Sequence, residues 1–325
     1  MAFVDDSMSE IDEMYRMVRA HLPATEHTAL PRDAVLHVEL LGPTLRRIQL
    51  ISPTLPPATH TAMYIVGASQ APGQFILIDA GSPYPDELHA LQTFLASEAA
   101  CGRTLLAAAF THHHGDHTGS GAMLAAMGCP LWAHAETATR CASRFPIARQ
   151  LVDGEQLVLE VGGGASLALT AVHTPGHAPG HLCFALPSHE GVVPVLAGDM
   201  VAGIGTILID PSDGDMCDYL ASLNKLLRLG PTVLHPAHGP SSEDGQAKLR
   251  GYLAHRLARE AAILNAVRKA AAPQSLAQLV AVAYREVPEG LWPLAQRSLA
   301  AHLRKLQQEQ LVLALADGRW AASSV

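Results

Sequence analysis

The sequence predicts an α/β protein of mixed sheets followed by a small helical and hairpin unit, and three observations carry that reading. Short apolar runs of strand length alternate with amphipathic helical patterns from about residue 35 to residue 228. Histidine and aspartate cluster directly after those runs, on connections at a sheet edge, where rigid scaffolds carry their sites. Beyond residue 245 the order becomes helix, helix, hairpin, which is the order of a winged helix.

Taken in turn, residues 1–34 read as an N-terminal extension with its best helical turn at 10–18. Strands are expected near 35–41, 46–51, 62–67 and 74–79, punctuated by Gly and Pro clusters. Residues 86–99 form an amphipathic pattern with Leu88, Leu91 and Leu95 on one face. The alternation continues through 104–110, 119–126, 156–161, 167–172, 192–197 and 215–228. A helix over 246–270 places Leu249, Leu253, Leu257, Leu264 and Val267 at helical spacing and reads as a linker docked on the main body. Ser275 to Gln278 has the form of a capping box opening a helix to about Tyr284. A further helix over 294–309 precedes a hairpin of 311–315 and 319–322 across Asp317-Gly318. Two domains are expected, 1–245 and 246–325.

Composition fits a globular chain with a sizeable core: 325 residues, 49% hydrophobic and 16% charged. No apolar run reaches the length of a membrane span. The N-terminus, Met1-Ala2-Phe3-Val4-Asp5-Asp6, has neither a basic nor an apolar segment of the export type. Five cysteines without a Cys-x-x-Cys pair suggest reduced thiols and a cytoplasmic location. Charge is uneven: residues 251–325 carry nine Lys and Arg against five Asp and Glu, and residues 1–250 carry 13 against 25.

The most informative run is Thr111-His112-His113-His114-Gly115-Asp116-His117, four potential ligands within six residues. Imidazoles suit zinc and similar borderline metals, and the carboxylate is a hard ligand. Nine of the 18 histidines fall within 111–117, 173–181 and 235–238, so His177 and His238 are the expected remaining imidazoles. Asp199 ends the apolar run Val195-Leu196-Ala197-Gly198. On an extended segment His112 and His114 point to one side, and Gly115 lets Asp116 and His117 approach from another. One cation is thus expected on His112, His114 and His177 and a second on Asp116, His117 and His238. Asp199 bridges the two, and His113 points away. Such a site lowers the pKa of a bound water from about 15.7 to about 7 and so makes a nucleophile at neutral pH.

The order His-x-His-x-Asp-His, Thr-Pro-Gly-His, Gly-Asp, Pro-x-His-Gly resembles the metallo-β-lactamase superfamily over roughly residues 35–245. The resemblance implies an αββα sandwich of two mixed sheets and two divalent metal ions, zinc foremost, with manganese or iron as alternatives. Asp199 stands where zinc β-lactamases of the cysteine type would carry Cys, which groups the chain with glyoxalase II, ribonuclease Z and related hydrolases. Thr174-Pro175-Gly176-His177-Ala178-Pro179-Gly180-His181, Tyr252 to Glu260 and the tail after them are similar to the beta-lactamase-like protein 2 family, which couples the hydrolase domain to a winged helix. That family includes an endoribonuclease acting on single-stranded RNA, and related fungal proteins are thioesterases releasing polyketides from carrier proteins. One departure is that the family tends to have Asn before Tyr in an early strand, whereas this chain reads Met63-Tyr64.

Further roles follow around the metals. Asp116 is read as both ligand and catalytic group, orienting the attacking water and shuttling its proton. Asp79, after the strand ending Leu77-Ile78, is a candidate for bonding a ligand histidine from outside, with a turn cap as the alternative. His181 is read as supporting the ligands or facing substrate. His255 and Arg256 are candidates for a substrate entrance. His134, His235 and Asp213 are read as loop residues near the cleft without chemistry. Three functions compete. The first is a dinuclear metal hydrolase of an ester or thioester, with the tail as a structural or dimerising module. The second is an endoribonuclease in which Arg297, Arg304 and Lys305 meet phosphates. The third is a DNA-binding regulator with structural metals. The ligand set argues against the third, because structural zinc sites are closed and single. The apolar, Ala-rich helices are expected to support a homodimer.

Overall fold

Residues 36–55, 58–70 and 72–323 are described in this computed structural model. The helical turn expected at 10–18 lies outside them, as does the extension to residue 34. Strands β1 (Val38–Gly42), β2 (Leu45–Ile51), β3 (His60–Gly67) and β4 (Gly73–Ile78) form an antiparallel meander. Helix α1 (Pro85–Ala100) then crosses over, which a parallel neighbour requires, and delivers β5 (Arg103–Ala109) beside β4. Short helices α2 (Gly115–Thr118), α3 (Gly121–Ala126) and α4 (Ala135–Cys141) separate β5 from β6 (Leu131–His134) and β7 (Arg149–Leu151), also parallel. Seven strands thus lie side by side in chain order.

The second sheet begins a few residues later. Strands β8 (Gln156–Gly162), β9 (Ala165–His173), β10 (Leu182–Ala185) and β11 (Pro194–Gly198) are antiparallel. Helix α5 (Met216–Leu229) carries the chain back to β12 (Val233–Pro236), parallel to β11. Asp215 caps that helix by accepting from the Asp218 N–H, and Gly230 ends it in the left-handed conformation that a C-terminal cap favours.

Period-2 patterning explains the layers. In β8, Leu157 and Leu159 point inward and Val158 is exposed. Val66, Ile76 and Ile78 of the first sheet meet Leu157, Leu169 and Phe184 of the second in one core. The opposite face of the first sheet, with Ile65 and Leu77, packs on Leu91, Leu95 and Leu124 of α1 and α3. The opposite face of the second, with Cys183 and Val195, packs on Tyr219, Leu223 and Leu226 of α5. The result is the expected αββα sandwich.

Helix α6 (Gly245–Lys269) joins two cores: Leu249 and Tyr252 belong to that of the second sheet, Ile263 and Val267 to a separate one. The separate core also takes Leu279 and Val280 of α7 (Leu276–Ala283), Leu299, Leu303 and Leu306 of α8 (Trp292–Gln308), and Val312 of the hairpin β13 (Val312–Ala314) and β14 (Trp320–Ala322). Ser275 and Gln278 form both bonds of the expected capping box. The C-terminal unit is a winged helix. Met63, at the departure from the family pattern, is wholly buried in the core beneath α1. Among the described residues no helix is long and apolar enough to cross a membrane.

Candidate metal centre

Every ligand candidate sits at the C-terminal end of a strand or on the turn after it. His112, His114, Asp116 and His117 follow β5, with His117 and Asp116 on α2; His177 follows β9, Asp199 follows β11, and His238 follows β12. Two glycines make this possible. Gly176 has φ +130°, and a Cβ there would fall on the backbone of Tyr219. Gly198 has φ +49°, and a Cβ there would strike the ring of His181.

The structure brings together the seven candidates as two groups. His114 Nδ1 lies 2.9 Å from His112 Nε2 and 3.0 Å from His177 Nε2. In the second group His238 Nε2 is 3.4 Å and His117 Nε2 3.8 Å from Asp116 Oδ2. Asp199 lies between them: Oδ2 is 3.3 Å from His177 Nε2, while Oδ1 is 3.3 Å from His238 Nε2 and 3.6 Å from His117 Nε2.

Outer partners fix which nitrogen of each ring faces inward. His117 Nδ1 donates to Asp79 Oδ2 at 2.9 Å, and His114 Nε2 to Asp213 Oδ2 at 2.8 Å. His177 Nδ1 donates to the Leu208 carbonyl at 2.9 Å, and His238 Nδ1 to the His60 carbonyl at 3.1 Å. Thr111 Oγ1 donates to Asp79 Oδ2 at 2.7 Å and so accepts from His112 Nδ1 at 3.0 Å. The rings of His112, His114 and His177 therefore turn bare nitrogens toward one another, while His117 and His238 turn Nε2 toward Asp116 and Asp199.

This arrangement fits cations. Facing lone pairs at 2.9–3.0 Å repel unless something positive lies between them, and the spacing approaches the ~3.3 Å edge of a tetrahedron whose metal–nitrogen bonds are about 2.0–2.1 Å. His117 Nε2 and Asp199 Oδ1 are buried and have no hydrogen-bond partner. Buried polar atoms are normally satisfied, so this pair marks a place for a ligand.

The electrostatics differ between the groups. Burial, reinforced by His117 and His114, keeps His112 far below the ordinary imidazole value, and burial takes His177 down to about 4. Both are neutral donors at pH 7. Burial also opposes charge on His238 and His117, but carboxylates outweigh it. Asp199 and Asp116 push His238 up to about 10, and Asp116, Asp79 and Asp199 hold His117 well above its usual range. Asp116 and Asp199, despite burial, are kept ionised by those same two histidines.

The surrounding residues fall into place unevenly. Asp79 has φ +60°, which turns its carboxylate back toward β5, where it accepts from the Thr111 N–H at 2.7 Å as well as from His117. His181 is buried; its Nε2 accepts from the Asp199 N–H at 3.0 Å, and its Nδ1 donates to Thr174 Oγ1 at 2.9 Å. It holds the backbone of Asp199 and has no surface for substrate. His113 Nε2 is 3.3 Å from Asp213 Oδ2, outside both groups. Asp213, read from sequence as a bystander, is the partner of His114. His134 stacks on His173 with ring centres 4.1 Å apart, and His235 meets Ser241 at 2.8 Å.

His255 and Arg256 do not line an entrance to this centre. His255 is exposed on α6, beside a shallow groove with Arg259 and Glu286 on the winged-helix side. Arg256 points the other way because its position on the helix faces the core: it is 2% exposed, donates to the Ile207 carbonyl, and lies 5.2 Å over the Tyr219 ring. The basic residues expected on α8 each have an intramolecular partner, although Arg297 and Arg304 remain exposed. Arg297 pairs with Asp210 at 2.7 Å, Arg304 donates to the Pro211 carbonyl, and Lys305 pairs with Glu260 at 2.8 Å and Glu309 at 2.7 Å.

Comparison with known proteins adds to this geometry. The family described as Metallo-beta-lactamase superfamily matches residues 56–238, and the Beta-lactamase associated winged helix domain matches 275–320. A beta-lactamase-like protein 2 homolog of Drosophila melanogaster is 31% identical over 84% of this chain and 90% of its own length. An atrochrysone carboxyl ACP thioesterase of Aspergillus chevalieri is 28% identical over 81% of this chain and 77% of its own. The crystal structure of a beta-lactamase domain protein from Burkholderia ambifaria superposes with a TM-score of 0.73 at 20% identity, covering 93% of this chain and 99% of that one.

Proposed function

Because the chain belongs to the metallo-beta-lactamase superfamily and is a metal-dependent hydrolase, we propose that it cleaves an ester or thioester with two metal ions, zinc foremost. The observation that carries the reading is Asp199, whose Oδ2 faces His177 while its Oδ1 faces His238 and His117. His112, His114 and His177 would hold one ion, Asp116, His117 and His238 the other, with Asp199 shared. Bound there, the ions would acidify a water and polarise the scissile carbonyl.

The chain's own residues would do the rest. Asp116, an ionised carboxylate, accepts the proton of the attacking water and passes it to the departing alcohol or thiol. Asp79, Asp213 and the Leu208 carbonyl keep three rings in the tautomer that offers a lone pair inward. His181 holds the backbone of Asp199. Acyl substrates are favoured over RNA because Arg297, Arg304 and Lys305, the basic residues that would meet phosphates, each already have an intramolecular partner. The thioesterase name of one relative supports the same class.

The test is a panel of acyl thioesters, simple esters and labelled single-stranded RNA, offered to the purified protein with its metal content measured. Metal-stripped protein and Asp116→Asn serve as controls. Thioester or ester turnover that disappears in both controls is the expected result. RNA cleavage that disappears in both, with every acyl substrate intact, would reverse the preference.

A further inference from the structure

The segment between β11 and α5, residues 199–215, touches the metal centre on one side and the C-terminal helices on the other. Toward the centre it supplies Asp199 itself, the Leu208 carbonyl that accepts from His177, and Asp213 that accepts from His114. Toward the C-terminal helices it is caught every few residues. Tyr252 Oη accepts from the Ala202 N–H at 2.8 Å and donates to the Gly205 carbonyl at 3.0 Å. Lys248 Nζ donates to the Gly203 carbonyl at 3.0 Å. Arg256 donates to the Ile207 carbonyl, Arg297 pairs with Asp210, and Arg304 donates to the Pro211 carbonyl.

Arg256 is the informative member. It is buried, no carboxylate among the described residues pairs with it, and its Nε lacks a partner. A buried guanidinium without a counter-charge is a costly element, and an apolar side chain on α6 would pack there at less expense in desolvation. What Arg256 does instead is grip the carbonyl of Ile207, one peptide before the carbonyl that orients His177. Arg297 grips Asp210, three residues before the carboxylate that orients His114.

We propose that Arg256 and Arg297 are positioning residues of the metal centre. Through the strap 199–215 they set the rings of His177 and His114, so the C-terminal helices serve as a clamp on the half of the site built from His112, His114 and His177. This rests on the reading of the site as a two-metal centre. The clamp acts on His177 and His114 and leaves His117, which is oriented by Asp79 just after β4, and His238, oriented by the His60 carbonyl, unaffected.

The experiment is a cobalt(II) titration of the full-length, metal-stripped protein, following the visible absorption of each binding step. Melting temperatures of the metal-free forms are recorded alongside. In Arg256→Met one of the two steps weakens by about tenfold, the low end for outer partners of metal ligands, while the other stays within about twofold. Arg297→Asp weakens the same step, and the charge swap Arg297→Asp with Asp210→Arg restores it, which decides the matter even if Arg256→Met folds poorly. Unchanged affinities in both single variants overturn the proposal. So does an equal loss at both steps together with a lower melting temperature, which is what a merely structural role gives. A wild-type protein that takes up no cobalt overturns the two-metal reading and the clamp with it, an outcome distinct from a silent variant.

Discussion

Glu98 and Asp199 are both carboxylates with almost no exposed surface, yet their surroundings are built to different ends. Glu98, on α1, accepts from Arg46 at 2.8 Å and from Arg103 at 2.7 and 2.6 Å, so both oxygens are satisfied by fixed guanidinium groups. Asp199 has two histidines within 3.6 Å of Oδ1 and still leaves that oxygen without a hydrogen bond. A buried charge whose partners are complete contributes to the fold. One left short of partners on a rigid frame costs stability and reserves a place for something that binds.

Substitutions separate the two cases, most sharply at the centre. Asp116→Asn should lower turnover by about 10²–10⁴-fold, the usual contribution of a positioned proton acceptor, with no loss of melting temperature. Steady-state rates beside a thermal melt check both halves of that statement. Glu98→Ala should do the reverse. It leaves Arg46 buried without its counter-charge and should cost about 3–5 kcal/mol in urea unfolding, while the number of ions bound and their affinities stay as in wild type. A turnover loss in Glu98→Ala at full folding would remove the contrast.

Smaller effects refine it. Asp79→Ala should weaken one ion by about 10–100-fold, measured by chelator competition, because His117 loses the acceptor that fixes its ring. Stripping the metal should lower the melting temperature of wild type by more than that of Asp79→Ala. The last contrast is in pH. Burial works against charge on Glu98, but Arg103 and Arg46 outweigh it and hold its carboxyl below the ordinary value of 4.5. A lowered folded pKa gives stability that is present above the unfolded value and lost as pH falls through the folded one. Wild-type melting temperature should therefore drop below about pH 4.5 by more than that of Glu98→Gln, and equal slopes would show that the pair carries no linkage.

Much of the fold was legible because long periodic segments announce themselves. Helix α6, the strand pair β8 and β9 and the capping box at Ser275 lie within a residue or two of where pattern places them. Strands β6, β7, β10 and β12 were not anticipated, since three or four residues hold no period to read and their placement comes from sheet neighbours. At the site, the seven clustered ligand candidates stood out because histidine and aspartate after apolar runs are chemically conspicuous. What supports them was harder to see. The Leu208 carbonyl carries no side-chain signature at all, and Asp213 lies 99 residues from the histidine it contacts. Arg256 misled for a related reason: a basic residue on a helix looks solvated until the fold shows a carbonyl waiting for it.

The two sheets are consecutive in the chain, 38–151 and then 156–236, and the centre draws on both. His112, His114, Asp116 and His117 belong to the first half, and His177, Asp199 and His238 to the second. An ion held by this set would therefore act as a staple across the seam of the sandwich. Neither half could assemble the proposed coordination sphere by itself, so metal capture would report that the two have docked in register, and cutting the chain within the turn around Gly154 would turn metal uptake into an assay of reassembly.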